Sequence, residues 1–158
     1  MELLTGYVLP CFYAFVACTG FCLLYNIRGF GIVLCSLGGS LGWLVYLLSQ
    51  AAGQDTAISS FVAGLAIAAY AEIMARVRKC PASGYLLLAF FPLVPGAGVY
   101  YTMEAYFQGD TERFVTVGRE TLGIAGGLAI GVLLVSSGVR MLNHFLGKRK
   151  RRKQDAAA

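Results

Sequence analysis

Two prolines and two glycines fall within seven positions of a single apolar stretch, Pro92-Leu93-Val94-Pro95-Gly96-Ala97-Gly98. Proline lacks a backbone N–H and its ring clashes with the preceding turn, at a cost of ~3 kcal/mol in an ordinary helix interior. A continuous helix is therefore not expected here. In lipid, the freed backbone groups must be buried in protein or line a water-filled cavity. Broken helices near the bilayer midplane recur in transporters, where freed N–H groups hold anionic substrate groups and freed carbonyls hold cations. The N–H groups of Gly96 and its successors would form such a helix-start anion site. Tyr100 and Glu104 follow one and two turns beyond Gly96, adding a hydroxyl and a carboxylate. The candidate substrate path is thus Pro92, Pro95, Gly96, Gly98, Tyr100 and Glu104. Two other readings compete: a proline kink used only for packing, and a Glu104 that simply reaches the outer interface.

A second constellation is Glu72 and Arg76, whose i, i+4 spacing puts opposite charges on one helix face. It reads as an ion pair or a proton relay. Other chemistries lack their residues. There is no HExxH, GxSxG or Walker loop and no carboxylate cluster. The single histidine, His144, lies beside a basic tail. The cysteines Cys11, Cys18, Cys22, Cys35 and Cys80 form no CxxC pair of the kind that holds zinc. They read as small apolar fillers, with Cys80 in a loop where a soluble thiol probe would reach it. No enzyme activity, metal or cofactor is expected.

The elements that carry these residues follow from composition. Of 158 residues, 58% are hydrophobic and 13% charged, with a mean hydropathy of +0.68. A soluble domain carries about a quarter charged residues, so the surplus apolar surface must face lipid. Charged residues divide the chain into apolar segments near the ~20 residues that a spanning helix needs. These are 3–27, 29–54, 56–72 (continuing toward Arg76), 80–103 and 121–139. Segment 110–120 reads either as an interfacial turn or as the start of a long fifth helix. The N-terminus has no basic region or clear cleavage site typical of a signal peptide, so the first segment is expected to remain as a span.

The connections report orientation. Arg28, the Arg76-Val77-Arg78-Lys79 loop and the run Lys148–Lys153 fall on one side only if there are five crossings. The fold class expected is an all-α membrane protein of five transmembrane helices, the fourth broken at PLVPG, with the N-terminus out and the C-terminus in. Residues 1–147 form the membrane domain and 148–158 a basic cytoplasmic tail. That basic run reads as a topology anchor rather than a nucleic-acid site; the chain's net charge is +5, and without the run the remaining charges nearly cancel. Small residues at intervals of four let helices approach closely in lipid. Gly123, Gly127 and Gly131 keep one such register, Gly38 and Gly42 another, and Gly64 with Ala68 a third.

The stretch from Ala75 to Ala82 (ARVRKCPA), then Phe91-Pro92-Leu93-Val94-Pro95-Gly96 and Tyr100, resembles the threonine/serine exporter (ThrE) family. It is most similar to the small, YjjB-like subunit that corresponds to the C-terminal half of fused members. Asn26-Ile27-Arg28 and Leu41-Gly42-Trp43 extend the likeness. The resemblance implies a secondary exporter of small polar metabolites, with threonine and serine or a dicarboxylate such as succinate as substrates. It also implies a larger membrane subunit of the same family as partner, and a place in the bacterial inner membrane. Further copies of this chain are a second candidate partner. One departure is the absence of glycine in Leu88-Ala89-Phe90-Phe91, where Phe90 and Phe91 would narrow a cavity. A non-transporting scaffold, docking a partner through the glycine rows, is the alternative.

Overall fold

The computed structural model describes residues 4–155, with side chains from Thr5 to His144. The basic side chains of Lys148–Lys153 lie outside that range. A π-helical turn, Leu4–Val8, leads into α1 (Leu9–Leu24), followed by α2 (Gly31–Ala51) and α3 (Thr56–Arg78). Then come α4 (Ala82–Phe90), a 3-10 turn (Phe91–Leu93), α5 (Gly96–Gln108) and α6 (Thr111–Asp155). Local chemistry sets several of these limits. Proline sits in the first turn of α1, where its missing N–H would have had no helical partner. Asn26, at φ 55°, turns the chain between α1 and α2, a backbone region that asparagine tolerates better than most residues. Gly109, at φ 73°, closes α5 with its N–H on the Tyr106 carbonyl.

Four helices are long and apolar enough to cross a membrane: Thr5–Leu24, Gly31–Ala51, Thr56–Arg78 and Thr111–His144. The pair Ala82–Leu93 and Gly96–Gln108, bent by 50°, brings the count to as many as five. The chain is therefore all-helical and multi-pass, with its fourth apolar segment interrupted at PLVPG. Segment 110–120 resolves as the opening of α6, since the helix starts at Thr111.

The helices pack through small residues. α3 and α6 run parallel, and this is the most extensive contact between elements. A β-carbon added at Gly127 would stand 2.5 Å from the Ala57 carbonyl oxygen, and one at Gly131 2.6 Å from that of Phe61. The fit is mutual, because one added at Gly64 would stand 2.9 Å from the Leu128 carbonyl oxygen. α2 runs antiparallel to α3, with Gly38 against the Tyr70 ring and Gly42 against Ile67. Interhelical hydrogen bonds add to this packing. The Tyr70 hydroxyl donates to the Leu34 carbonyl at 2.7 Å, and Thr19 and Ser36 share a bond of 2.9 Å. Such bonds are worth about 0.6 kcal/mol each on average in a bilayer.

The α5–α6 hairpin is offset from the rest. Thr56, the first residue of α3, reaches Glu120, so residues 111–119 of α6 project about 13 Å past the start of α3.

A substitution separates the packing row from glycine content in general. Gly127→Ala should drive a methyl into the α3 backbone and destabilise the protein by about 1–3 kcal/mol, the usual range for overpacking. Gly126→Ala, with nothing within 4 Å of the added carbon, should be neutral or stabilising. Thermal unfolding of the two purified variants in detergent checks this directly.

Candidate functional site

The interruption is built from a short series of hydrogen bonds. In an unbroken helix the Leu88 carbonyl would accept the N–H of residue 92, which proline lacks. It instead receives the thiol of Cys18 on α1, at 3.3 Å and buried. The Phe91 carbonyl, whose helical partner would be residue 95, takes the Val94 N–H at 3.3 Å. Val94 is extended, with φ −63° and ψ 126°. Pro95, at φ −77° and ψ 54°, lies at the centre of an inverse γ-turn in which the Gly96 N–H donates to the Val94 carbonyl at 2.7 Å. The Val99 N–H then donates to the Pro95 carbonyl at 3.1 Å and opens α5.

This corrects part of the expected anion site, because the Gly96 N–H is already engaged. Only Ala97 and Gly98 supply N–H groups that precede the first helical bond of α5.

α2 supplies the bed for the interruption. Gly39 leaves room for the Cys18 sulfur, and a β-carbon there would lie 3.5 Å from the Pro92 ring. Leu93 is buried beside Gly42 and joins Ile67, Ala63, Ala89 and Leu128 in one apolar cluster. Gly39 and Gly42 sit near the middle of α2, so the break lies at mid-depth of the bundle. Phe91 does not narrow a cavity as expected: it stacks on Phe21 of α1, with ring centroids 4.0 Å apart and planes within 7°. Phe90 packs against the Leu93 cluster.

The remaining candidates are dispersed. Gly98 abuts Thr121 of α6, whose hydroxyl donates to the Val117 carbonyl at 2.7 Å. Tyr100 is 65% exposed, with its ring edge-on to that of Tyr101 at a centroid distance of 5.4 Å. Glu104 pairs with Arg113 across the α5–α6 hairpin at 3.4 Å. Arg76 donates to Asn143 of α6 at 3.3 Å, and no ion pair with Glu72 is present among the described residues.

The charged ends separate. At one end the Arg78 guanidinium lies 5.8 Å from the Phe30 ring centre, which brings the α1–α2 turn beside the end of α3. At the other end lie Asp55, Glu104, Arg113, Arg119 and Glu120. There a cavity of about 400 Å³ opens between the start of α3 and α6, lined by Asp55, Thr56, Thr116, Arg119 and Glu120. Arg119 also borders a second cavity of about 520 Å³ between α5 and α6, which contains Val99, Thr102, Met103 and Thr121. The sequence reading did not single out Arg119 and Glu120 as site residues. The available signal was that Asp55 and Glu120 end apolar segments on the same side of the predicted topology. Two buried polar atoms, Trp43 Nε1 and Ser59 Oγ, have no hydrogen-bond partner among the described residues. Trp43 packs against the cluster that holds Leu93.

An all-helical bundle with several membrane-crossing helices and one interrupted apolar pair is a multi-pass membrane protein of transporter type. The chain belongs to the threonine/serine exporter family, ThrE, whose model matches residues 10–137. Its role is accordingly membrane transport of the threonine/serine exporter type. Comparison with curated proteins and with solved structures gives no match.

If the Cys18 thiol satisfies the Leu88 carbonyl, Cys18→Ala should destabilise the protein by about 1 kcal/mol, the net worth of a modest buried hydrogen bond. Cys18→Ser, which restores a donor of similar size, should recover most of the loss. Paired melting curves of the two variants decide this. Equal loss in both would show that the sulfur acts by packing alone.

Proposed function

We propose that the chain is the smaller subunit of a secondary exporter of small polar metabolites in the bacterial inner membrane. It acts there with a larger membrane subunit of the same family. Threonine and serine are the first candidate substrates, and a dicarboxylate such as succinate the second. The observation that carries this reading is the interrupted α4–α5 pair, seated on Gly39 and Gly42 at the middle of α2. Substrate passes beside this break, which Pro92, Pro95, Gly96 and Gly98 shape. One flank rests on α2, while Val94, Val99 and Tyr100 on the other are exposed, consistent with a neighbouring subunit there. Gly123, Gly127 and Gly131 face α3 of the same chain, so they are not available to dock a scaffold partner as the alternative reading required.

The experiment is export of labelled threonine, serine and succinate from cells expressing the chain with and without the larger subunit. Efflux of at least one substrate should depend on this chain. No difference for any of them, with both proteins in the membrane, sinks the reading.

Orientation has its own test. We place the N-terminus outside and the Arg28, Arg78 and C-terminal side in the cytoplasm, by the positive-inside rule. Cys80, partly exposed in the turn after α3, should then react with a membrane-impermeant maleimide in inverted vesicles and not in intact cells. Cys80→Ser should abolish that labelling. The opposite pattern would reverse the topology.

A further inference from the structure

The cavity of about 520 Å³ between α5 and α6 is built unlike a site for a small polar solute. The two helices touch where Gly98 abuts Thr121 and where Gly118 approaches the methyl of Thr102, and the cavity lies along this crossing. Both threonine hydroxyls are committed to carbonyls of their own helices. Thr102 donates to Gly98 and Thr121 to Val117, each at 2.7 Å. The rest of the lining is apolar but for one group, the guanidinium of Arg119. Val99, Met103, Val115 and Leu122 stand exposed around it. The ion pair among the described residues joins Arg113 to Glu104, so Arg119 has no carboxylate partner there.

The neighbouring helix fixes the depth of this guanidinium. Glu120 meets Thr56, the first residue of the membrane-crossing helix α3. Arg119 therefore lies at the level where the spans end and lipid headgroups begin. Leu122 lies about 5 Å deeper along α6. An arginine near the end of a span lays its stem on apolar surface and holds its charge at the interface. An apolar cavity stays dry, and one that opens on lipid is filled by hydrocarbon.

We infer that this groove is a phospholipid site, in which an acyl chain of a bilayer phospholipid lies against Val99, Met103 and Leu122 and Arg119 holds the phosphodiester. Charge and shape both match. The guanidinium offers two parallel N–H groups to phosphate oxygens, and the apolar walls take the chain. A small polar metabolite is poorly matched, because its further polar groups would be buried without partners. The assignment goes beyond the exporter reading and does not depend on it. A lipid held here braces the α5–α6 crossing where Thr121 meets Gly98, beside the interrupted helix. Val99 also belongs to the flank left open for a neighbouring subunit, so the lipid lies at the edge of that contact.

The test is native mass spectrometry of the purified chain, titrated with phosphatidylglycerol, whose phosphate is its only charge. The wild type should bind a first lipid more tightly than those that follow. Arg119→Gln should weaken that first binding about tenfold or more, as loss of a charge-assisted contact does. Arg119→Lys should retain part of it, and Val115→Trp, which puts an indole in the groove, should also weaken it. Arg140→Gln and Leu133→Trp, on the same helix away from the groove, should change nothing. Diacylglycerol, which has the chains without the phosphate, should bind the wild type and Arg119→Gln alike. Melting temperatures within the wild-type range show that the variants are folded. Absence of a distinct first lipid on the wild type, or first binding unchanged in either Arg119→Gln or Val115→Trp, would overturn the site. So would loss of that lipid when the larger subunit co-purifies, which would give the groove to a helix of that subunit.

Discussion

A carbonyl without its helical partner, buried where no water reaches, is the constraint on which the centre of this structure depends. Pro92 removes the N–H that Leu88 would have received, and leaving a buried acceptor unpaired costs about 1–3 kcal/mol. The answer is a thiol from another helix: Cys18 reaches the Leu88 carbonyl. That contact imposes a further requirement on α2. The sulfur lies where a side chain at residue 39 would stand, so residue 39 must be glycine, and the Pro92 ring packs over the same spot. A single missing N–H thus ties together α1, α2 and the interruption. Pro95 imposes a more local solution, because its lost donor is offset by the Val94 N–H turning back to Phe91.

The glycines therefore do two distinct jobs. On α6, Gly127 and Gly131 bring backbone against backbone, allowing a parallel helix pair to form where lipid supplies no hydrophobic drive. On α2, Gly39 and Gly42 form a shallow seat for Pro92 and Leu93. The first use sets how deeply α6 docks along α3, and with it the offset of the α5–α6 hairpin. Because Gly123 meets Ala57 and Gly127 meets the turn after it, Glu120 arrives level with Thr56. A shift of α6 by one turn would remove Arg119 and Glu120 from Asp55. The position of the charged cavity is in this sense a consequence of glycine register.

The sequence was legible where the signal lay within one helix. Apolar segment length located the crossing helices, and proline spacing located the break, because both are local properties of the chain. What it could not show was the offset between helices. Tyr100 and Glu104 do follow one and two turns beyond Gly96 along α5, but which way each turns depends on the packing between helices, and Tyr100 stays exposed. Glu104 ends beside Arg113 instead. The i, i+4 spacing of Glu72 and Arg76 permitted a pair, but Asn143 of α6 provides another acceptor for the guanidinium. Cys18 was read as filler because a thiol in an apolar run usually is. Its role appears only once the chain places it beside the carbonyl that Pro92 releases.

The break also bears on whether the chain can be complete by itself in lipid. Its inner flank is enclosed by α2 and by the Phe21–Phe91 stack. Its other flank exposes Val94, Gly96 and Ala97 in succession, and the N–H groups of Ala97 and Gly98 precede the first bond of α5. Hydrocarbon cannot satisfy such groups, and irregular backbone persists at membrane depth only against protein or water. A protein neighbour would satisfy them by contact, and an aqueous path by solvation. Those two conditions are met together at the boundary between a transporter's two halves, where one side of the path is another subunit. The physical demand of the break and the proposed two-subunit exporter therefore point to the same exposed face, the one that runs from Val94 to Tyr100.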